Sequence, residues 1–132
     1  MDRDTRLAVI QRAINYCEYC RRPQAATPYV TFHIEHIFAQ QHVLDDSLDN
    51  LALACPDCNF FKGPNLTTID PITLKIMSLF HPRLDQWVDH FHFDGPVLRH
   101  RTTIGRATIW LLQLNNEPRI ELRTLLMQSG EM

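Results

Sequence analysis

Four cysteines in two Cys-x-x-Cys pairs, Cys17/Cys20 and Cys55/Cys58, constrain this chain more than any other feature. A Cys-x-x-Cys turn presents two thiolates from one knuckle, and a second pair completes a tetrahedral shell for zinc. The N-terminus reads MDRDTR with no apolar run behind it, so no secretory leader is expected and the chain is expected in the cytoplasm. In a reducing compartment two disulfides are disfavoured, and a structural Zn2+ held by all four cysteines is the expected state. Four thiolates leave no open coordination position, so the zinc is expected to hold the fold and not to catalyse. The alternatives are free buried thiols or a redox dithiol; the latter usually comes with a βαβ pattern, which is missing here.

The chain has 132 residues, enough for one domain with a hydrophobic core of its own. No apolar stretch approaches the length of a membrane span. Thirteen basic residues against fifteen acidic ones give a net charge of −2, which argues mildly against a nucleic-acid partner. The basic side is nearly all Arg, whose planar fork suits phosphate. The charges are also segregated. Asp45, Asp46, Asp49 and Asp57 cluster without a base, whereas Arg99, Arg101 and Arg106 cluster without an acid. A basic and an acidic face can therefore coexist.

Residues 4–16 read as a helix, with Asp4 or Thr5 as cap and Leu7, Ile10 and Ile14 on one face. Residues 28–37 are rich in β-branched and aromatic types and read as a strand, 38–50 as a loop and 51–54 as a second strand. Pro56 suits a first helical position and Gly63 a C-terminal cap, which predicts a two-turn helix over 56–62. Short strands are expected near 74–80, 90–94 and 97–100, and closing helices at 103–115 and 118–128. Phe60, Phe61, Phe80, Trp87 and Trp110 are expected in the core.

Between and around the cysteine pairs stand Ile34-Glu35-His36-Ile37, Asp49-Asn50-Leu51 and Cys58-Asn59-Phe60-Phe61-Lys62-Gly63. This set, over residues 17–63, resembles the HNH endonuclease family. The resemblance implies a zinc-clamped ββα-metal core, about 28–63, with zinc knuckles at 17–20 and 55–58. The fold class is then α+β: that core plus an N-terminal helix, short extra strands and two C-terminal helices, as one domain over 1–132. It also implies hydrolysis of DNA phosphodiester bonds. His36 would be the general base, with an unperturbed pKa near neutrality. Glu35 and Asn59 would hold a catalytic divalent metal, Mg2+ or Mn2+, through hard oxygen atoms. Asn50 would tie the loop to the hairpin, and Lys62 would reach the phosphate beside the metal. Glu35 stands where the family most often has Asp, one methylene shorter.

His33 shares the face of Glu35 on an ideal strand and reads as a packed or neighbouring histidine more than a ligand. His81-Pro82-Arg83 and Arg99-His100-Arg101 read equally as phosphate contacts or as hydrogen-bonded surface. The competing function is a catalytically inactive, zinc-stabilised module of the same fold that binds nucleic acid or another protein. DNA is the expected partner and a membrane is not. Residues 64–132 carry no motif, so a homodimer or a targeting partner protein stays open.

Overall fold

The computed structural model describes residues 1–132 as a mixed α+β chain of five helices and three two-stranded antiparallel sheets. Helix α1 (Arg3–Arg12) is capped by Asp2, whose side chain accepts from the Thr5 amide at 2.7 Å. It stops earlier than the apolar spacing suggests. Ile14 and Asn15 both turn left-handed (φ 53° and 58°), the Ile14 amide donates to the Gln11 carbonyl, and the Asn15 amide donates to the Ile10 carbonyl. These two bonds form a Schellman end without the usual glycine. Ile14 is consequently 76% exposed and not on the buried face, where Val9 is the fully buried residue. The reversal sends the chain directly into the Cys17–Cys20 knuckle.

Strand β1 (His33–His36) pairs with β2 (Leu51–Ala54), with His36 opposite Leu51 and His33 opposite Ala54. The strand is shorter than 28–37 because β2 offers only four partners. Upstream, Gln24 occupies the backbone instead: it accepts from the Phe32 amide at 2.8 Å and donates to the Val30 carbonyl. All four residues of β2 are buried. The Leu53 amide donates to Glu18 Oε2 at 2.8 Å, and the Leu53 carbonyl accepts from the Glu18 amide at 2.9 Å, so the first knuckle is stitched onto β2. Glu18 in turn pairs with Arg83. Helix α2 (Pro56–Lys62) follows as expected, with Pro56 at its start, the Cys55 sulfur accepting from the Cys58 amide, and Gly63 at φ 50° ending it.

The second half adds two hairpins and two helices. Strands β3 (Thr67–Ile69) and β4 (Ile76–Ser78) pair; the first was not apparent in the sequence and the second is shorter than expected. A single helical turn, α3 (Trp87–His90), leads into β5 (Phe91–Asp94) and β6 (Val97–His100), which turn at Gly95. Helix α4 (Thr103–Leu111) ends by the same device as α1, with Gln113 left-handed and the Leu114 amide bonded to the Ile109 carbonyl. Helix α5 (Glu117–Gln128) is capped by Asn116, which accepts from the Arg119 amide. A Cβ at Gly105 would lie 2.3 Å from the His90 carbonyl oxygen, so the glycine lets α4 lie against the backbone at the end of α3. The core joins Cys17, Tyr19, Leu51, Leu53, Phe80 and Phe91 with residues from both halves.

Asp70, fully buried at the end of β3, holds the β3–β4 hairpin on α4. Its carboxylate accepts from Arg106 Nε at 2.7 Å and Nη2 at 2.8 Å, and from the Thr73 amide and hydroxyl. The Arg106 bonds, aided by those of Thr73, hold its pKa far below the ordinary carboxylate range. A carboxyl depressed in the native state stabilises the fold above the unfolded pKa, near 4, and that stability falls as pH drops toward the native value. Asp70→Asn is expected to lower the melting temperature at neutral pH. The deficit should be constant above about pH 5 and shrink below about pH 4. Melting curves across pH check this; a deficit independent of pH would contradict it.

Candidate active site and metal centre

The two knuckles meet. The sulfurs of Cys17, Cys20, Cys55 and Cys58 all lie within 4.8 Å of one another, and all four residues are buried. Cys20 Sγ and Cys55 Sγ are 3.7 Å apart. Zinc–sulfur bonds of about 2.3 Å in a tetrahedron put sulfurs about 3.8 Å apart, so the cluster has the dimensions and donor set of a closed zinc site. The cluster therefore suggests structural zinc. Sequence spacing found the four cysteines but not their neighbour from α5. Arg119 Nη2 lies 3.0 Å from Cys58 Sγ and 3.8 Å from Cys55 Sγ, in the interior. Burial works against the charged guanidinium, but the sulfurs of Cys58, Cys20 and Cys55 more than offset it and push its pKa above the usual value.

His36 ends β1, half-buried. Its Nε2 lies 2.6 Å from Asp46 Oδ1, in the exposed loop that follows. A carboxylate can only accept, so Nε2 carries the proton of this bond, and in the neutral ring Nδ1 is the acceptor. In the sequence Asp46 stands out only as one of an acidic cluster and not as a partner of His36, because it is ten residues away in a loop whose path has no local signature.

The backbone after His36 is fixed from two sides. The Ile37 amide donates to the Asn50 carbonyl at 2.8 Å, and Lys62 Nζ donates to the Ile37 carbonyl at 3.0 Å. The buried Asn50 side chain accepts from the Phe38 amide at 2.8 Å and donates to the Phe38 carbonyl at 3.0 Å and the Asp45 carbonyl at 2.8 Å. Asn50 thus ties the loop to the hairpin and sets Asp45, next to Asp46.

Glu35 and Lys62 point inward. Glu35 accepts from the Tyr19 hydroxyl, and its other oxygen is 3.5 Å from Lys62 Nζ. Both side chains are buried. Burial pushes the Glu35 carboxyl above its ordinary pKa, with Lys62 and Tyr19 pulling it back. This arrangement offers neither the Glu35 carboxylate to an external cation nor the Lys62 ammonium to a phosphate. Asn59 is half-buried on α2, and its amide makes no side-chain hydrogen bond.

The remaining histidines and arginines are mostly engaged locally. His33 is exposed at the open end of β1. His42 reaches the Pro64 carbonyl, and His81 Nδ1 accepts from the Arg83 and Leu84 amides. Arg83 is held by Glu18, Arg99 by Asp94, and Arg101 reaches the Phe91 carbonyl. Phe61, Phe80 and Trp87 join the core as expected, but Phe60 is 77% exposed and Trp110 half-exposed.

Residues 17–64 match the family model of the HNH endonucleases. No curated protein and no solved structure matches the chain significantly. The HNH segment spans both cysteine knuckles, β1, β2 and α2, and contains His36, Asn50, Asn59 and Lys62. Arg119 lies outside it. No helix is long and apolar enough to cross a membrane.

The Glu35–Lys62 pair generates a stability prediction. Lys62→Met should cost about 3–5 kcal/mol at neutral pH, because it strands a buried carboxylate. A carboxyl with a raised native pKa favours the fold below its unfolded pKa and loses that contribution as pH rises through the native value. The cost should therefore be smaller near pH 5 than at pH 8. Denaturant melts at both pH values check this, and an equal cost at both would contradict it.

Proposed function

We propose that this chain is a nuclease of the HNH type that hydrolyses DNA phosphodiester bonds, with His36 as general base. The observation that carries the proposal is the His36–Asp46 pair at the end of β1, inside the HNH segment. With Nε2–H directed to Asp46, Nδ1 is the atom that takes the proton from an attacking water. The imidazolium formed is stabilised by the Asp46 carboxylate, which also keeps the ring from rotating. Asn50 and Lys62 act behind the base by holding residues 37 and 38, so the ring starts from a backbone with little freedom. His36 and the Asn59 amide are the groups left open to a substrate.

The family's chemistry includes a divalent cation that assists the leaving oxygen. The donor set for it does not fit as placed: Asn59 is available, but both Glu35 oxygens face Tyr19 and Lys62. That sealed carboxylate favours a second reading, a zinc-stabilised module of the same fold that binds nucleic acid or protein without cleaving. The exposed Asp46 and Asp49 and the half-buried Asp45, in a loop without Arg or Lys, also weaken attraction for a phosphate backbone at this face.

Nicking of supercoiled plasmid at low salt separates the two readings. Wild type, His36→Ala and Asp46→Asn would be assayed with Mg2+, with Mn2+ and with EDTA. His36→Ala should lose about 100-fold or more of the rate. Asp46→Asn, which keeps the shape but removes the charge on the base, should lose less. Equal rates for wild type and His36→Ala would reject His36 as base. Absence of nicking by a folded, metal-loaded chain on plasmid, branched and single-stranded DNA would favour the binding module.

A further inference from the structure

Four thiolates around one zinc carry a net charge of −2, and here they lie in the interior, away from water. Such a centre needs donors to its sulfurs, because a buried charge without hydrogen bonds is costly. The chain supplies one from outside the HNH segment. Arg119, in the first turn of α5, directs Nη2 at Cys58 Sγ (3.0 Å) and Cys55 Sγ (3.8 Å). Its Nη1 donates to the Leu112 carbonyl at 2.8 Å, one of the carbonyls left open at the end of α4. One buried guanidinium therefore joins the second cysteine knuckle, the end of α4 and the start of α5. Beside it a narrow cleft of about 10 Å³, room for about one water, reaches Cys20 between Asp57 and Leu126.

We propose that Arg119 is a positioning residue of the metal centre: it is a side-chain N–H donor that quiets the Cys55 and Cys58 thiolates and retains the zinc. The proposal rests on zinc occupying the four-cysteine cluster. A hydrogen bond to a metal-bound thiolate draws charge from sulfur, so the sulfur is a weaker nucleophile and donates less to the metal.

The test uses the full chain loaded with zinc, or with cobalt in its place, as wild type, Arg119→Met, Arg119→Lys and Leu126→Ala. Leu126 is buried on α5 beside the cleft and has no polar atom on its side chain, so Leu126→Ala loosens packing without touching sulfur chemistry. Metal analysis comes first, and one zinc per wild-type chain is expected; a chain that binds neither metal overturns the zinc reading and the proposal with it. In Arg119→Met the sulfur-to-cobalt charge-transfer band should move to longer wavelength. Alkylation of the thiolates by iodoacetamide, with loss of iodide, should accelerate. Zinc affinity against a chelator should fall about 10–100-fold. Arg119→Lys, which keeps the charge and one donor, should show the same shifts at smaller size and serves alone if Arg119→Met does not fold. Leu126→Ala should leave the band in place. An unmoved band in the arginine variants, or an equal shift in Leu126→Ala, overturns the proposal.

Discussion

The meeting of two cysteine knuckles is the contact on which the rest of this structure depends. Cys17 and Cys20 follow α1, and Cys55 and Cys58 open α2, so joining their sulfurs closes the whole β1–loop–β2 excursion between them. Closing so long a loop carries an entropic cost, and a four-coordinate metal is well suited to meet it because the ligands fold only together. The same closure presses Glu18 and Tyr19, which lie between the first two cysteines, onto β2 and Glu35. The knuckle therefore also closes off the Glu35 carboxylate.

From that clamp the position of His36 follows through backbone bonds. All four polar backbone groups of Ile37 and Phe38 are taken, by Asn50 and Lys62. Asn50 comes from the turn before β2 and Lys62 from the last turn of α2, and Cys55 stands between β2 and α2. The cysteine cluster and the candidate base are thus linked through β2 and α2. Its charges are divided: Lys62 and Glu35 face inward together, while Asp46 stays in solvent to engage the imidazole. Spacing puts Lys62 on the helix face of Asn59, and the resemblance implies that it contacts phosphate. Its direction is decided by the buried carboxylate and carbonyl it meets, and neither is local in sequence.

Helix ends show a similar limit. Where Gly63 ends α2, the stop was visible because glycine has no Cβ to oppose a positive φ. Ile14 and Gln113 do the same work for α1 and α4, and neither residue type announces it. The β-branched Ile14 accepts a strained conformation because the chain must reverse there to bring Cys17 to its partners. Strand β1 was overextended for a related reason. Its composition suits a longer strand, but a strand needs a partner, and β2 has only four residues.

The sequence by itself determined the two cysteine pairs, the β1–β2–α2 order and the short helix between Pro56 and Gly63, whereas His36 and Asn50 were set apart by the resemblance to a family. Each of these is carried by residue identity at short spacing, where backbone geometry leaves few choices. Only the tertiary structure decided that Asp46 faces His36, that Glu35 is sealed against Tyr19 and Lys62, and that Arg119 reaches the sulfurs from α5. These contacts span from ten to more than sixty residues, and side-chain direction at such separations is set by packing and by the need of buried charges for partners. No local pattern encodes it.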